Sequence, residues 1–161
     1  MIPKEIEYKF LFFDENVVLP QLAQASKSIK LMQGYTIDGI RFTQRVHEDN
    51  TKDYKINYKL GMGVVRDEAQ CQIDENVFIA IWPLTIGRRV YKTRYHFPLE
   101  SGLILELDVY QHSRKWPLIT GEIEFATEEE ADNYSDTELG RFGSFLYVTG
   151  DSEYLNINLA C

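Results

Sequence analysis

The sequence is poor in cysteine, in long apolar runs and in basic charge. Cys71 and Cys161 are the only cysteines in 161 residues. Two make no disulfide framework, so a reducing cytoplasm is the expected location. No apolar run approaches the ~20 residues that span a bilayer. The opening stretch, MIPKEIEYKF, carries acids where a signal peptide would have its apolar region. No membrane partner is therefore expected. Lys and Arg number 17 against 25 Asp and Glu, a formal charge of −8. That excludes a generally basic surface for nucleic acid but allows a basic pocket inside an acidic shell. P-loop and dinucleotide glycine patterns are missing, as are repeats, low-complexity tracts and Ser/Gly-rich linkers. The length suits one domain over residues 1–161, which at this size buries roughly 70% of its unfolded surface without a staple.

What the chain has in quantity is aromatic side chains, ten Tyr and nine Phe among them, and these favour pleated strands. Strand-like segments fall at about 4–13, 35–47, 52–60, 64–73, 87–97, 103–111 and 120–126. Turn residues such as Glu48-Asp49-Asn50, Gly61-Met62-Gly63 and Glu100-Ser101-Gly102 separate them, as in an antiparallel meander. Helical windows are expected at 17–32, where Leu19, Leu22, Ile29 and Met32 fall near helical spacing, and at 75–82 behind Asp74. A third is expected from Thr127, with Glu128, Glu129 and Glu130 in its first turn. The class is mainly β (α+β).

Residues two apart on a strand share a face. Glu5, Glu7 and Lys9 align, as do Arg41, Thr43 and Arg45; Lys55, Asn57 and Lys59; and Arg66, Glu68, Gln70 and Gln72. Lys92 with Arg94, Glu106 with Asp108 and Tyr110, and Glu122 with Glu124 complete the series, each file facing away from an apolar one. On any single strand such a file ordinarily means a solvated face. The composition is unusual for that, being rich in arginine, which grips phosphate bidentately. It also carries carboxylates at i and i+2, which converge as hard oxygen ligands for Mg²⁺ or Mn²⁺. Files pointing inward would give a barrel with a cationic wall and an acidic wall, suited to a polyanion carried with divalent metal. His47, His96 and His112 are scattered and read as rim or surface residues, and Cys71 falls in the apolar phase of its strand.

The Glu5-Ile6-Glu7-Tyr8-Lys9 pattern is followed by Gln33-Gly34-Tyr35, Arg41, Lys59, Arg66-Asp67-Glu68 and Lys92-Thr93-Arg94-Tyr95. Then come Glu106-Leu107-Asp108, Glu122-Ile123-Glu124-Phe125, Thr149-Gly150-Asp151 and a closing Tyr154, Asn156 and Leu159-Ala160. From first strand to last residue this series resembles the CYTH family, the triphosphate tunnel metalloenzymes, in its short bacterial-type form. The resemblance implies a closed eight-stranded antiparallel β-barrel with a few flanking helices, whose tunnel binds a triphosphate. By that pattern Lys9, Arg41, Lys59, Arg66, Lys92 and Arg94 would hold the phosphates. Glu5, Glu7, Glu106, Asp108, Glu122 and Glu124 would face Mg²⁺ or Mn²⁺, with Glu68 as further acidic wall. Tyr35 would partner Lys9 in catalysis, and a C-terminal helix would help close the tunnel. The family's Arg-x-Arg reads Arg41-Phe42-Thr43 here, leaving Arg45 as the next same-face arginine and a substitute phosphate ligand. Its Arg-x-Glu-x-Glu reads Arg66-Asp67-Glu68-Ala69-Gln70, one carboxylate short.

The expected activity is metal-dependent hydrolysis of a small-molecule triphosphate, with inorganic tripolyphosphate favoured, by a monomer or homodimer without a nucleic-acid partner. A class IV-type adenylyl cyclase and a non-catalytic polyphosphate or nucleotide binder are the alternatives.

Overall fold

The computed structural model describes residues 2–161. Nine strands form one sheet: β1 (Lys4–Phe12), β2 (Lys27–Tyr35), β3 (Arg41–Val46), β4 (Lys52–Leu60), β5 (Val65–Ile73), β6 (Arg89–Pro98), β7 (Ile104–His112), β8 (Ile119–Glu124) and β9 (Phe145–Tyr147). Neighbours run β5-β4-β3-β2-β6-β7-β8-β1-β9, and a further β1–β5 pairing closes the first eight strands into an antiparallel barrel. Strand β1 makes that closure possible by dividing one of its edges. Its start, Lys4–Ile6, pairs β5, while its end, Phe10–Phe12, pairs β9.

The helices are short: α1 (Glu15–Val18), α2 (Glu75–Ile81), α3 (Glu128–Asp132) and α4 (Asn156–Leu159). Thr127 caps α3 by accepting from Glu130 N–H, and the Glu130 carboxylate accepts from Ala126 N–H in return. Asp74 stands at the N-cap of α2, but its side chain makes no capping bond. The expected turns form. Asn50 sits at φ 64, a left-handed conformation that Asn tolerates, while Asp49 accepts from both Thr51 N–H and Thr51 hydroxyl.

One expectation fails. The window 17–32 holds only α1 and a 3-10 turn, Leu19–Gln24, and its last six residues lie in β2. Ile29 and Met32, three apart, therefore face opposite sides of a strand and not one side of a helix. Cys71 keeps the outward, apolar phase expected of it, opposite Ile56, and is exposed because the outward face of β5 is left uncovered at that point. The short strand β9 lies in a stretch the sequence left unread.

The barrel is apolar outside and polar inside. Phe10, Phe12, Phe97, Leu105, Leu107, Ile123 and Phe125 point outward and pack beneath Ala131, Leu139 and Phe142 of the segment after β8. Burying each such side chain is worth roughly 1.5–3 kcal/mol, so this outer layer holds the barrel while its lumen stays charged. A smaller cluster of Phe42, Tyr54 and Phe78 seats α2. One end of the lumen is filled by Leu11, Tyr35, Val90, Tyr110 and Leu118 against Val148, Leu159 and Ala160. The chain reaches that end by running antiparallel to β6, with Arg89 and Cys161 exchanging backbone hydrogen bonds of 3.1 and 3.0 Å.

Gly34 is fixed by close approach. A Cβ there would stand 2.5 Å from Thr85 Oγ1 and 2.8 Å from the Trp82 ring, so β2 can lie against the 3-10 turn Trp82–Thr85 only with glycine at that position.

Candidate active site

The lumen is a cavity of about 550 Å³. Glu5, Glu7, Lys9, Tyr35, Arg41, Arg45, Lys59, Arg66, Arg94, Glu106, Glu122 and Glu124, all singled out above, line it. Inward-facing files from adjacent strands bring them together, as alternation requires. Lys92 and Asp108 take a different place. Both side chains are 0% exposed and they pair with each other behind the lining.

The charges form two interlocked groups. In the first, Lys59 Nζ lies 2.5 Å from the Glu5 carboxylate, and Arg66 donates to Glu5 at 3.1 Å and also to Glu7. In the second, Arg94 grips Asp108 through Nε and Nη2 at 2.7 and 2.8 Å, reaches Glu122 at 2.5 Å and also bonds Glu106. Lys9 Nζ is 3.1 Å from Glu122. Arg41 bridges towards the first group, 2.7 Å from Asn57 Oδ1 and 3.8 Å from Glu68. Burying ions is tolerable because each carboxylate of these groups meets a cation.

Their protonation follows. Burial pulls Lys9 down, but Glu122, Tyr110 and Glu7 more than offset it, so the ammonium is held more firmly than usual. Burial likewise opposes ionisation of Asp108, yet Arg94 and Lys92 keep its carboxyl below the ordinary range. Lys92 is pushed down to about 8 by burial, against the pull of Asp108 and helped by the nearby Arg94. Burial raises the Tyr35 hydroxyl despite Arg41 and Lys9 beside it, so Tyr35 keeps its proton. Glu7 is raised by burial and by the facing Glu122, and Glu124 by burial and by Glu106 and Glu7. Negative charge is thus crowded on the β1–β8 side. Among the described residues no three His, Cys, Asp or Glu side chains are already gathered round one point, since most of these carboxylates lean on Lys or Arg instead.

Sequence reasoning missed the contribution of β2. Lys27, Ile29, Leu31 and Gln33 all line the cavity. Their period of two was present in the sequence but was outweighed by the helical spacing of larger apolar residues. Gly39 and the Leu155–Ile157 stretch also line the lumen, with Ile157 Cδ1 3.5 Å from where a Gly39 Cβ would stand. Only the path of the chain brings that stretch back to the β2–β3 turn. Tyr110 fastens it by donating to Asn156 Oδ1 at 2.5 Å.

No family model matches the chain. It is similar to an inorganic triphosphatase of Nitrosomonas europaea, 37% identical over 134 residues that make up 83% of this chain and 85% of that protein. The crystal structure of the inorganic triphosphatase NE1496 superposes with a TM-score of 0.59 at 31% identity, covering 99% of this chain and 95% of that one. HpAC1 from Hippeastrum, an adenylyl cyclase candidate with a dominant triphosphatase activity, superposes with a TM-score of 0.62 over 93% of each chain. At 16% identity that likeness is one of fold. The identity and coverage shared with the Nitrosomonas protein, together with a barrel of the same architecture, settle the descent: the chain belongs to the inorganic triphosphatase family.

Proposed function

We propose that this protein is a metal-dependent triphosphatase, a short bacterial-type member of the CYTH family, that hydrolyses inorganic tripolyphosphate to pyrophosphate and orthophosphate. The observation that carries the reading is the lumen itself. Lys9, Arg41, Lys59, Arg66 and Arg94 line one cavity with six glutamates, in a chain 37% identical to an inorganic triphosphatase.

Glu5, Glu7, Glu106, Glu122 and Glu124 are the residues that would hold Mg²⁺ or Mn²⁺. The donor set fits a hard cation, being all carboxylate. Burial raises Glu7 and Glu124 first, and the neighbouring carboxylates raise them further, Glu122 acting on Glu7 and Glu106 on Glu124. When bound, such a metal neutralises phosphate charge and lowers the cost of forming hydroxide from water. Asp108, behind the lining, supports the wall by holding Arg94 in place.

The protein's own groups do the rest. Lys9, Arg41 and Arg94 bind phosphate oxygens by charge-assisted bonds and absorb the charge that grows on the bridging oxygen. Lys9 and Tyr35 both retain their protons, so they serve as donors to the substrate. Water attacks the terminal phosphorus in line with the bridging oxygen. One P–O bond forms, one breaks, and a proton is released as pyrophosphate and hydrogen phosphate leave. Arg45, the next same-face arginine after Thr43, lines the cavity and would extend the cationic wall as a substitute phosphate ligand. The free cysteines are compatible with the reducing cytoplasm in which we place the protein, as a monomer or homodimer.

Phosphorus NMR of the protein with tripolyphosphate and with ATP, each with Mg²⁺ and with Mn²⁺, tests the reading. The expected products are pyrophosphate and orthophosphate from tripolyphosphate, with ATP largely intact and all turnover lost in EDTA. Pyrophosphate from ATP would instead mean cyclase chemistry, and uptake of tripolyphosphate without turnover would mean a binding protein.

A further inference from the structure

The tunnel is electrostatically uneven, and the uneven part lies on β2, β3 and β4. Strand register sorts its inward residues into three adjacent rows: Tyr35, Arg41, Asn57 and Gln70; then Gln33, Thr43, Lys55 and Gln72; then Leu31, Arg45 and Asp53. The middle row has no carboxylate. Its one cation, Lys55, finds only the Gln70 amide oxygen, at 3.5 Å. By contrast Lys9, Lys59, Arg66 and Arg94 are each neutralised by glutamate or aspartate. In the outer row Asp53 points to Arg45 Nε at 2.6 Å and to His47 at 2.6 Å. Asp53 is absent from the lining, whereas Arg45 belongs to it, so Asp53 steadies the arginine and leaves both Nη groups without a partner among the described residues.

Gln33 supplies an independent sign of a ligand. It is 5% exposed and lines the cavity; its Nε2 meets Thr43 Oγ1 at 3.4 Å, and its Oε1 has no partner among the described residues. A buried amide end left open costs free energy unless a ligand or water completes it. The two ends of an amide are interchangeable at little cost. Turned over, Gln33 accepts from the Thr43 hydroxyl and presents its NH₂ to the lumen. The arc then offers donors from Gln33, Lys55 and Arg45 and no ligand for a divalent cation.

We propose that this arc, formed by Gln33, Thr43, Arg45 and Lys55, is a metal-independent subsite for the terminal phosphate of linear polyphosphates longer than tripolyphosphate. The proposal rests on the triphosphatase reading and sets its substrate range. A fourth phosphate adds negative charge, and on this stretch of wall Lys55 has no carboxylate partner among the described residues, while Arg45, paired with Asp53 through Nε, keeps both Nη groups available to donate.

The test compares tripolyphosphate with tetrapolyphosphate on the wild-type protein, Lys55→Gln and Lys55→Arg. With metal present, kcat/KM for tetrapolyphosphate is expected to fall about tenfold in Lys55→Gln, the loss of one charge-assisted contact. For tripolyphosphate it should change less than about twofold, and Lys55→Arg should restore tetrapolyphosphate activity. Calorimetric titration in EDTA should show the wild type binding tetrapolyphosphate about tenfold more tightly than tripolyphosphate, with Lys55→Gln erasing the difference. Equal losses on both substrates would make Lys55 a general attractor of anions and overturn the subsite, as would no loss on either. If tripolyphosphate is bound but never hydrolysed, the triphosphatase reading fails while the EDTA titration still decides the subsite.

Discussion

Arg94 shows how much a single side chain carries here. It bonds Glu106, Asp108 and Glu122 at once, so the residue proposed as a phosphate ligand is also the counter-charge of a buried acidic cluster. Arg94→Met takes from Glu106 its arginine and leaves Asp108 and Glu122 with one lysine partner each, Lys92 and Lys9; it is expected to cost about 3 kcal/mol in urea unfolding, on top of weakened tripolyphosphate binding. Unchanged stability with binding lost would mean that the cluster relaxes onto Lys9 and Lys92 instead. Asp53 gives a pH signature of opposite character. Although burial works against it, hydrogen bonds from Arg45 and His47 hold its carboxyl below the usual 3.8. A carboxyl lowered by folding stabilises above its unfolded pKa and stops doing so as pH falls through the folded value. Asp53→Asn should therefore lower stability by under about 1 kcal/mol at neutral pH. The gap to wild type should close below about pH 4. A gap that does not narrow at all as pH falls from 4 would show that the carboxylate charge is not its source.

At the scale of elements, β2 was the hardest part to read and is the part the cavity most depends on. Leu19, Leu22, Ile29 and Met32 imitate a helical stripe, but they belong to four different environments. Leu19 is exposed, Leu22 packs on the outer core, and Ile29 and Met32 occupy opposite faces of β2. Propensity yields there to tertiary pairing, since β2 is flanked on both edges by β3 and β6. The seat of β2 depends on Gly34. Gly34→Ala forces a methyl into Thr85 and Trp82, with an expected cost of about 2 kcal/mol, or a fall in Tm of roughly 6 °C. A thermal melt unchanged within a degree would show that the Trp82–Thr85 turn moves aside freely. The files on β1 and on β3 through β8 were legible because each keeps a strict period of two between recognisable turns.

The whole molecule is held by its exterior, with the charged lumen as cargo, and the barrel has one weak seam. Strands β1 and β5 pair over only Lys4–Ile6 against Val65–Asp67, whereas β6 and β7 pair along almost their entire lengths. Little apolar surface covers β5, which is exposed over Ala69–Gln72. Local opening should therefore start at that seam. Native-state hydrogen exchange is expected to be fastest for the bridging amides of Glu7 and Glu68, which donate to Val64 and Pro3. Amides along β6 and β7 should be among the slowest. Uniform protection around the barrel would mean that it opens only as a unit.

The sequence by itself determined the class, the inward charged files and nearly all of the cavity's charged lining, because strand alternation converts residue parity directly into facing direction. Tertiary structure alone decided what parity cannot express. It set which of two same-face neighbours reaches the lumen, so that Arg94 lines it while Lys92 and Asp108 pair behind it. It recruited β2 against its helical spacing, and it set which residues of the C-terminal stretch, already expected from the family pattern to help close the tunnel, line the lumen, namely Leu155–Ile157. Facing direction is a local property of the backbone, whereas depth and company are set by barrel stagger and by distant segments, which no local pattern encodes.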